Sequence, residues 1–101
     1  MELKHLAQAL EKTEKELQEE RATTLSRTGE KLEQLIEQLQ TLRGRLSAMA
    51  PAERRAHVET YRRLHKDAHY QLWCLVVNRE ALGLRQHAEL DDHYPIPPKW
   101  P

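Results

Sequence analysis

The sequence predicts an all-α protein built as one long antiparallel helical hairpin, and three observations carry that prediction. Leu, Glu, Gln, Arg, Lys and Ala dominate a chain of 101 residues that has no Phe, three Gly and five Pro, a composition that favours helix. Leu3, Leu6, Leu10, Leu17, Leu25, Leu32, Leu35, Leu39, Leu42, Leu46 and Met49 fall within about 120° on one uninterrupted helical wheel. A single proline, Pro51, then interrupts an otherwise helical pattern that runs on to Gly83.

Helix one is expected over about residues 2–48. Thr28 and Gly29 resemble a break with an N-cap, but the leucine stripe resumes beyond them in the same phase, which a break would scramble. Gly29 costs about 1 kcal/mol there relative to Ala, so bending or fraying is expected at that point. The turn is expected at about 49–51, with Pro51 in the first turn of the next helix, where its missing N–H is not needed. Helix two is expected over about 52–82. It stops at Gly83, the residue suited to a left-handed C-terminal conformation, with Leu84 placed for the accompanying apolar contact.

Helix two carries a coiled-coil-like face of Tyr61, Leu64, Ala68, Leu72, Leu75, Val76 and Leu82, which packs on helix one. Its C-terminal half is also apolar on the other side, through Tyr70, Trp73, Cys74, Val77, Ala81 and Leu84. One helical partner covers only one side. Folding about the turn pairs residue i with roughly 99 minus i and leaves about 16 N-terminal residues, with Leu3, Leu6 and Leu10, unpartnered as an overhang of roughly 24 Å. From Arg85 the irregular tail, 84–101, leads to Tyr94, Pro95, Ile96, Pro97, Pro98, Lys99, Trp100 and Pro101, a proline density that enforces an extended strip. That strip is expected over Trp73 and Val77 or along the overhang. A symmetric homodimer forming a four-helix bundle is expected to cover what remains.

These features place the chain as one domain with a thin core and define its function classes. The longest apolar run, Leu72 to Val77, is far below the roughly 20 residues of a membrane span. A lone cysteine and the absence of a signal-peptide core in Glu2, Leu3, Lys4 and His5 suggest a reducing, cytoplasmic setting. No catalytic constellation or cofactor motif stands out: there is no phosphate loop or HExxH pattern, and Cys74 sits among apolar neighbours that keep a thiol inert. The chain therefore reads as a non-enzymatic protein-interaction module, an adaptor, chaperone-like protein or assembly factor. Its partner is an unidentified protein, bound through Tyr70, Trp73, Val77 and Leu84 together with Tyr94, Ile96 and Trp100 of the tail.

Two other classes have residues of their own. The formal net charge is zero, yet Arg43, Arg45, Arg54, Arg55, Arg62, Arg63 and Lys66 form a basic stretch that would suit a nucleic acid. A basic second helix lying against an acidic first one accounts for the same residues without a ligand. His65 and His69, at i and i+4 with Glu30 or Glu33 opposite them, have the spacing of a metal site. Arg79 falls in the centre of the first apolar face, where a charge needs a partner; an ion pair to Glu16 or Glu20, across the hairpin or across a dimer, is expected to fix the register.

Overall fold

The computed structural model describes residues 2–101 and is all-helical, with two long helices packed side by side in a molecule of 75 × 24 × 14 Å. Helix α1 spans Glu2–Ala48, α2 spans Pro51–Ala81, and a single turn, α3, spans Leu90–His93. No strand occurs among the described residues, and no helix among them is long and apolar enough to cross a membrane.

α1 passes through Thr28 and Gly29 without a break. Thr28 is buried because its hydroxyl donates to the Thr24 carbonyl at 2.8 Å, one turn back in the same helix. Thr24 does the same to Glu20 at 3.0 Å. A threonine whose hydroxyl is satisfied inside the helix can sit in an apolar stripe without an orphan donor.

Between the helices, Ala50 is extended at φ −64° and ψ 151°, as the residue before a proline must be, and Pro51 opens α2. Arg54 closes the end of α1 from the other side of the turn. Its Nε donates to the Leu46 carbonyl at 2.9 Å and one Nη to the Met49 carbonyl at 3.0 Å. The Leu46 carbonyl also accepts the Met49 N–H at 3.2 Å, in the turn that closes the helix, and a cation suits the negative end of the helix dipole. At the far end, Gly83 takes φ 85°, its N–H reaches the Glu80 carbonyl and the Leu84 N–H reaches the Arg79 carbonyl, both at 2.9 Å. The two bonds make a Schellman cap, which requires a left-handed residue and hence glycine.

The core lies between α1 and α2 and is confined to the turn-proximal half of α1. Leu32, Ile36, Leu39 and Leu46 of α1 pack with Tyr61, Ala68 and Leu75 of α2 and with Leu90 of α3. Leu25, Leu35, Leu42, Met49, Val58, Leu64, Leu72 and Val76 flank them. Near the other end, Arg21 reaches the Ala81 carbonyl at 3.4 Å, so residues 2–20 of α1 extend past the end of α2. That overhang is about 28 Å long at about 1.5 Å per residue.

Candidate interaction surface

A tail rich in proline has few N–H groups but keeps every carbonyl, so whatever holds it must supply donors. The groove between α1 and α2 does so. The Tyr61 hydroxyl donates to the Pro98 carbonyl at 2.6 Å, and Arg43 donates to the same carbonyl at 3.3 Å and to the Tyr61 oxygen at 3.2 Å. His65 is buried, and its Nε2 lies 2.9 Å from the Pro97 carbonyl. Because a carbonyl only accepts, Nε2 carries the proton.

Aromatic contacts complete the seat of the tail. The Trp100 ring meets Tyr61 edge-on at 5.7 Å between centroids, and the guanidiniums of Arg43 and Arg54 stand 5.5 and 6.0 Å from the Trp100 ring. Tyr94 lies against the α1 backbone at Gly29: a Cβ there would stand 2.7 Å from the Tyr94 hydroxyl oxygen. The ring packs where only a hydrogen projects. Burial, with the Glu33 carboxylate adding to it and Arg79 opposing, holds the Tyr94 phenol above its usual range.

The tail thus runs back along the hairpin in a third position, over Tyr61, His65 and Ala68. The two courses expected from the sequence, over Trp73 and Val77 or along the overhang, are both replaced by this one. Tyr94, Ile96 and Trp100 pack against the chain's own core instead of facing outward. Tyr70, Trp73, Val77 and Leu84 remain open at 59, 61, 42 and 44% exposure, and the overhang leucines Leu3, Leu6, Leu10 and Leu17 at 82, 57, 56 and 45%. Tyr70 and Trp73 stack on each other, 6.1 Å apart, and the free thiol of Cys74 is half-buried beside them.

Arg79 is not paired with Glu16 or Glu20 within the chain. It is turned to the segment after Gly83, donating to the Gln86 carbonyl at 2.9 Å and to His87 Nδ1 at 3.3 Å. Since His87 Nδ1 accepts, its Nε2 carries the proton and faces the Glu80 carboxylate at 3.2 Å. Arg79 therefore holds the loop that sends the chain back toward α3. In a single copy, its charge is accommodated at the end of α2 by that loop.

The metal-site residues are divided between two clefts. The rings of His65 and His69 lie 4.6 Å apart, tilted by 59°, and line an open basic cleft of about 680 Å³ with Arg62, Arg63, Lys66 and Lys99. Glu30 and Glu33 line another, of about 750 Å³, with Arg79, Asp92 and Tyr94. No three His, Cys, Asp or Glu side chains converge on a metal position among the described residues. Of the basic stretch, Arg43 and Arg54 serve the tail and the helix end, and Arg62 pairs with Glu59 at 2.7 Å.

His69 titrates below its ordinary value of 6.5, through desolvation first, then the neighbouring His65 and Lys99. A histidine whose folded-state value is lowered gives stability that is whole above pH 6.5 and is lost as pH falls through the lowered value. The melting temperature should therefore fall on acidification through this window, and His69→Gln should remove part of that fall. The exposed position of His69 keeps the change small, because solvent screens it.

Sequence reasoning missed Ile36, Arg43, Arg54, His87 and Leu90 as structural residues. One signal for the tail groove was present: Gly29, Ile36 and Arg43 recur every seven residues, a second row on α1 beside the leucine stripe. Comparison with protein-family models, with curated proteins and with solved structures found no match.

Proposed function

We propose that the chain is a protein-interaction module in which the tail locks the hairpin and two apolar stripes, one on α2 and one on the overhang, are the working surfaces. One observation carries this reading. Among the described residues, every large hydrophobic side chain that stands exposed belongs to one of those stripes, Leu3, Leu6, Leu10 and Leu17 or Tyr70, Trp73 and Val77, or follows directly on the second, as Leu84 does. Contiguous exposed apolar surface of this kind marks interaction sites, whereas scattered exposed leucines do not. The overhang adds weight to it, because its leucines stand beyond the end of α2, where no second helix of the same chain covers them. The reading includes association with a second copy, in which two hairpins bring four helices together.

The test replaces two α2 side chains. Trp73→Glu combined with Val77→Glu should abolish association, with itself or with another protein, by sedimentation and by affinity capture. Helicity and the melting of the hairpin should stay close to those of the parent, because both side chains point away from the core. A double variant that associates as the parent does would remove this reading.

A further inference from the structure

The two exposed stripes have the same spacing. Leu3, Leu6 and Leu10 stand at i, i+3 and i+7 of α1, and so do Tyr70, Trp73 and Val77 of α2; Leu17 continues the first stripe, while Leu84 follows the left-handed Gly83 beyond the end of α2. This is the heptad alternation of a coiled-coil seam, and read backwards it gives a different series, i, i+4 and i+7. The stripes therefore match each other only when the helices that bear them run in the same direction. Within one chain they cannot meet, because α1 and α2 are antiparallel and Arg21 stands level with Ala81, which leaves the overhang beyond the end of α2.

We propose that each stripe is covered by the other stripe of a second copy, in a twofold-symmetric dimer whose contacts are parallel and in register: Leu3 on Tyr70, Leu6 on Trp73 and Leu10 on Val77. This deepens the interaction reading above and rests on it. A twofold axis crossing the hairpin beside Leu17 turns the partner's α1 antiparallel to this one, hence parallel to α2. It lays the partner's overhang along the outer side of α2 from Tyr70 to Ala81. The same operation lays this chain's overhang on the partner's α2, so the contact is isologous and closes. The two α2 helices then lie end to end, with three helices in cross-section where an overhang lies on α2 and two toward each turn.

Three further observations agree with that occupant. The second apolar side of α2 begins at Tyr70 and does not extend toward Pro51, which is the length an overhang of residues 2–20 covers. Residues beside the seam are small, with Ala7 and Ala9 on the overhang and Cys74 and Ala81 on α2, and they allow axes about 8–10 Å apart. The overhang is acidic, with six Glu against three Lys over residues 2–20, while the α2 end that it meets and the turn after it carry Arg79 and Arg85 against Glu80. Area is sufficient as well. The eight exposed side chains of two copies amount to on the order of 1,500 Å², within the roughly 1,200–2,000 Å² of stable interfaces.

Light scattering on the full chain should give twice 11.9 kDa, and Leu6→Glu with Leu10→Glu should return it to a single copy with unchanged helicity. In a Cys74→Ser background, a Leu3→Cys chain mixed with a Tyr70→Cys chain should form a disulfide-linked pair under mild oxidation. Leu3→Cys mixed with Val77→Cys should not. Cross-linking of the second pair instead would overturn the parallel register. A single-copy mass at the highest attainable concentration would overturn the second copy as occupant, and the interaction reading would then stand or fall separately on Trp73→Glu with Val77→Glu. A dimer that survives both pairs of Glu substitutions would overturn the two together.

Discussion

A chain ending at Gly83 should keep nearly all of its helical signal and lose about 4 kcal/mol of stability, read as a lower urea midpoint. The helical signal survives because the removed residues include only the one turn of α3. The loss has two sources. Burying a large apolar side chain is worth about 1.5–3 kcal/mol, and Leu90 is buried, with Tyr94, Ile96 and Trp100 packed on the core beside it. Tyr61 and His65 also lose the Pro98 and Pro97 carbonyls to which they donate, and a donor left without its partner costs roughly 1–3 kcal/mol where water does not replace it. Prolines moderate the opposing entropy, since a stiff strip has less freedom to lose on docking. The slope of the denaturant curve should fall too, as less surface is exposed on unfolding. An unchanged midpoint would mean that the tail contributes nothing to the hairpin.

Gly29→Ala should act in opposite directions in two backgrounds. In an otherwise unaltered chain it should destabilise by about 1 kcal/mol, although Ala is the better helix former by about 1 kcal/mol. The cause is the Tyr94 hydroxyl, 2.7 Å from where the new Cβ would stand, while the next ring atom is at an ordinary 3.7 Å. Tyr94 cannot retreat freely, because its own N–H is bonded to the Leu90 carbonyl at 2.7 Å and Pro95 follows it. With Tyr94→Phe the obstructing atom is gone, and Gly29→Ala should then stabilise by about 1 kcal/mol. A double-mutant cycle should thus give a coupling of about 2 kcal/mol. Additive effects would show that Tyr94 does not rest on Gly29.

The helices were legible in the sequence, and the course of the tail was not. A leucine stripe that keeps phase across Thr28 and Gly29 is a periodic signal repeated through many turns, and Pro51 and Gly83 punctuate it with distinct backbone requirements. The tail has no period. Its position depends on single donors meeting single carbonyls, and each donor had another plausible use: His65 as a metal ligand, Arg43 and Arg54 as parts of a basic stripe. Gly29 read as a helix weakness because the ring that requires it lies 65 residues further along the chain. Arg79 was recognised as a charge needing partners, but the loop that supplies them follows the helix and carries no pattern of its own. The apolar stripes at Tyr70–Val77 and Leu3–Leu10 were visible from the start; their equal spacing gains meaning once the structure shows both to be open.

The central claim is that the tail closes the groove between α1 and α2 and leaves the Trp73 side of α2 for another molecule. Proton nuclear Overhauser contacts of the tail rings test it most directly. Contacts are expected from the Trp100 indole to the Tyr61 ring and from the Tyr94 ring to the Gly29 Hα protons. Contacts from Trp100 or Tyr94 to Trp73 and Val77 instead would put the tail on the face assigned here to a partner, and would contradict the account.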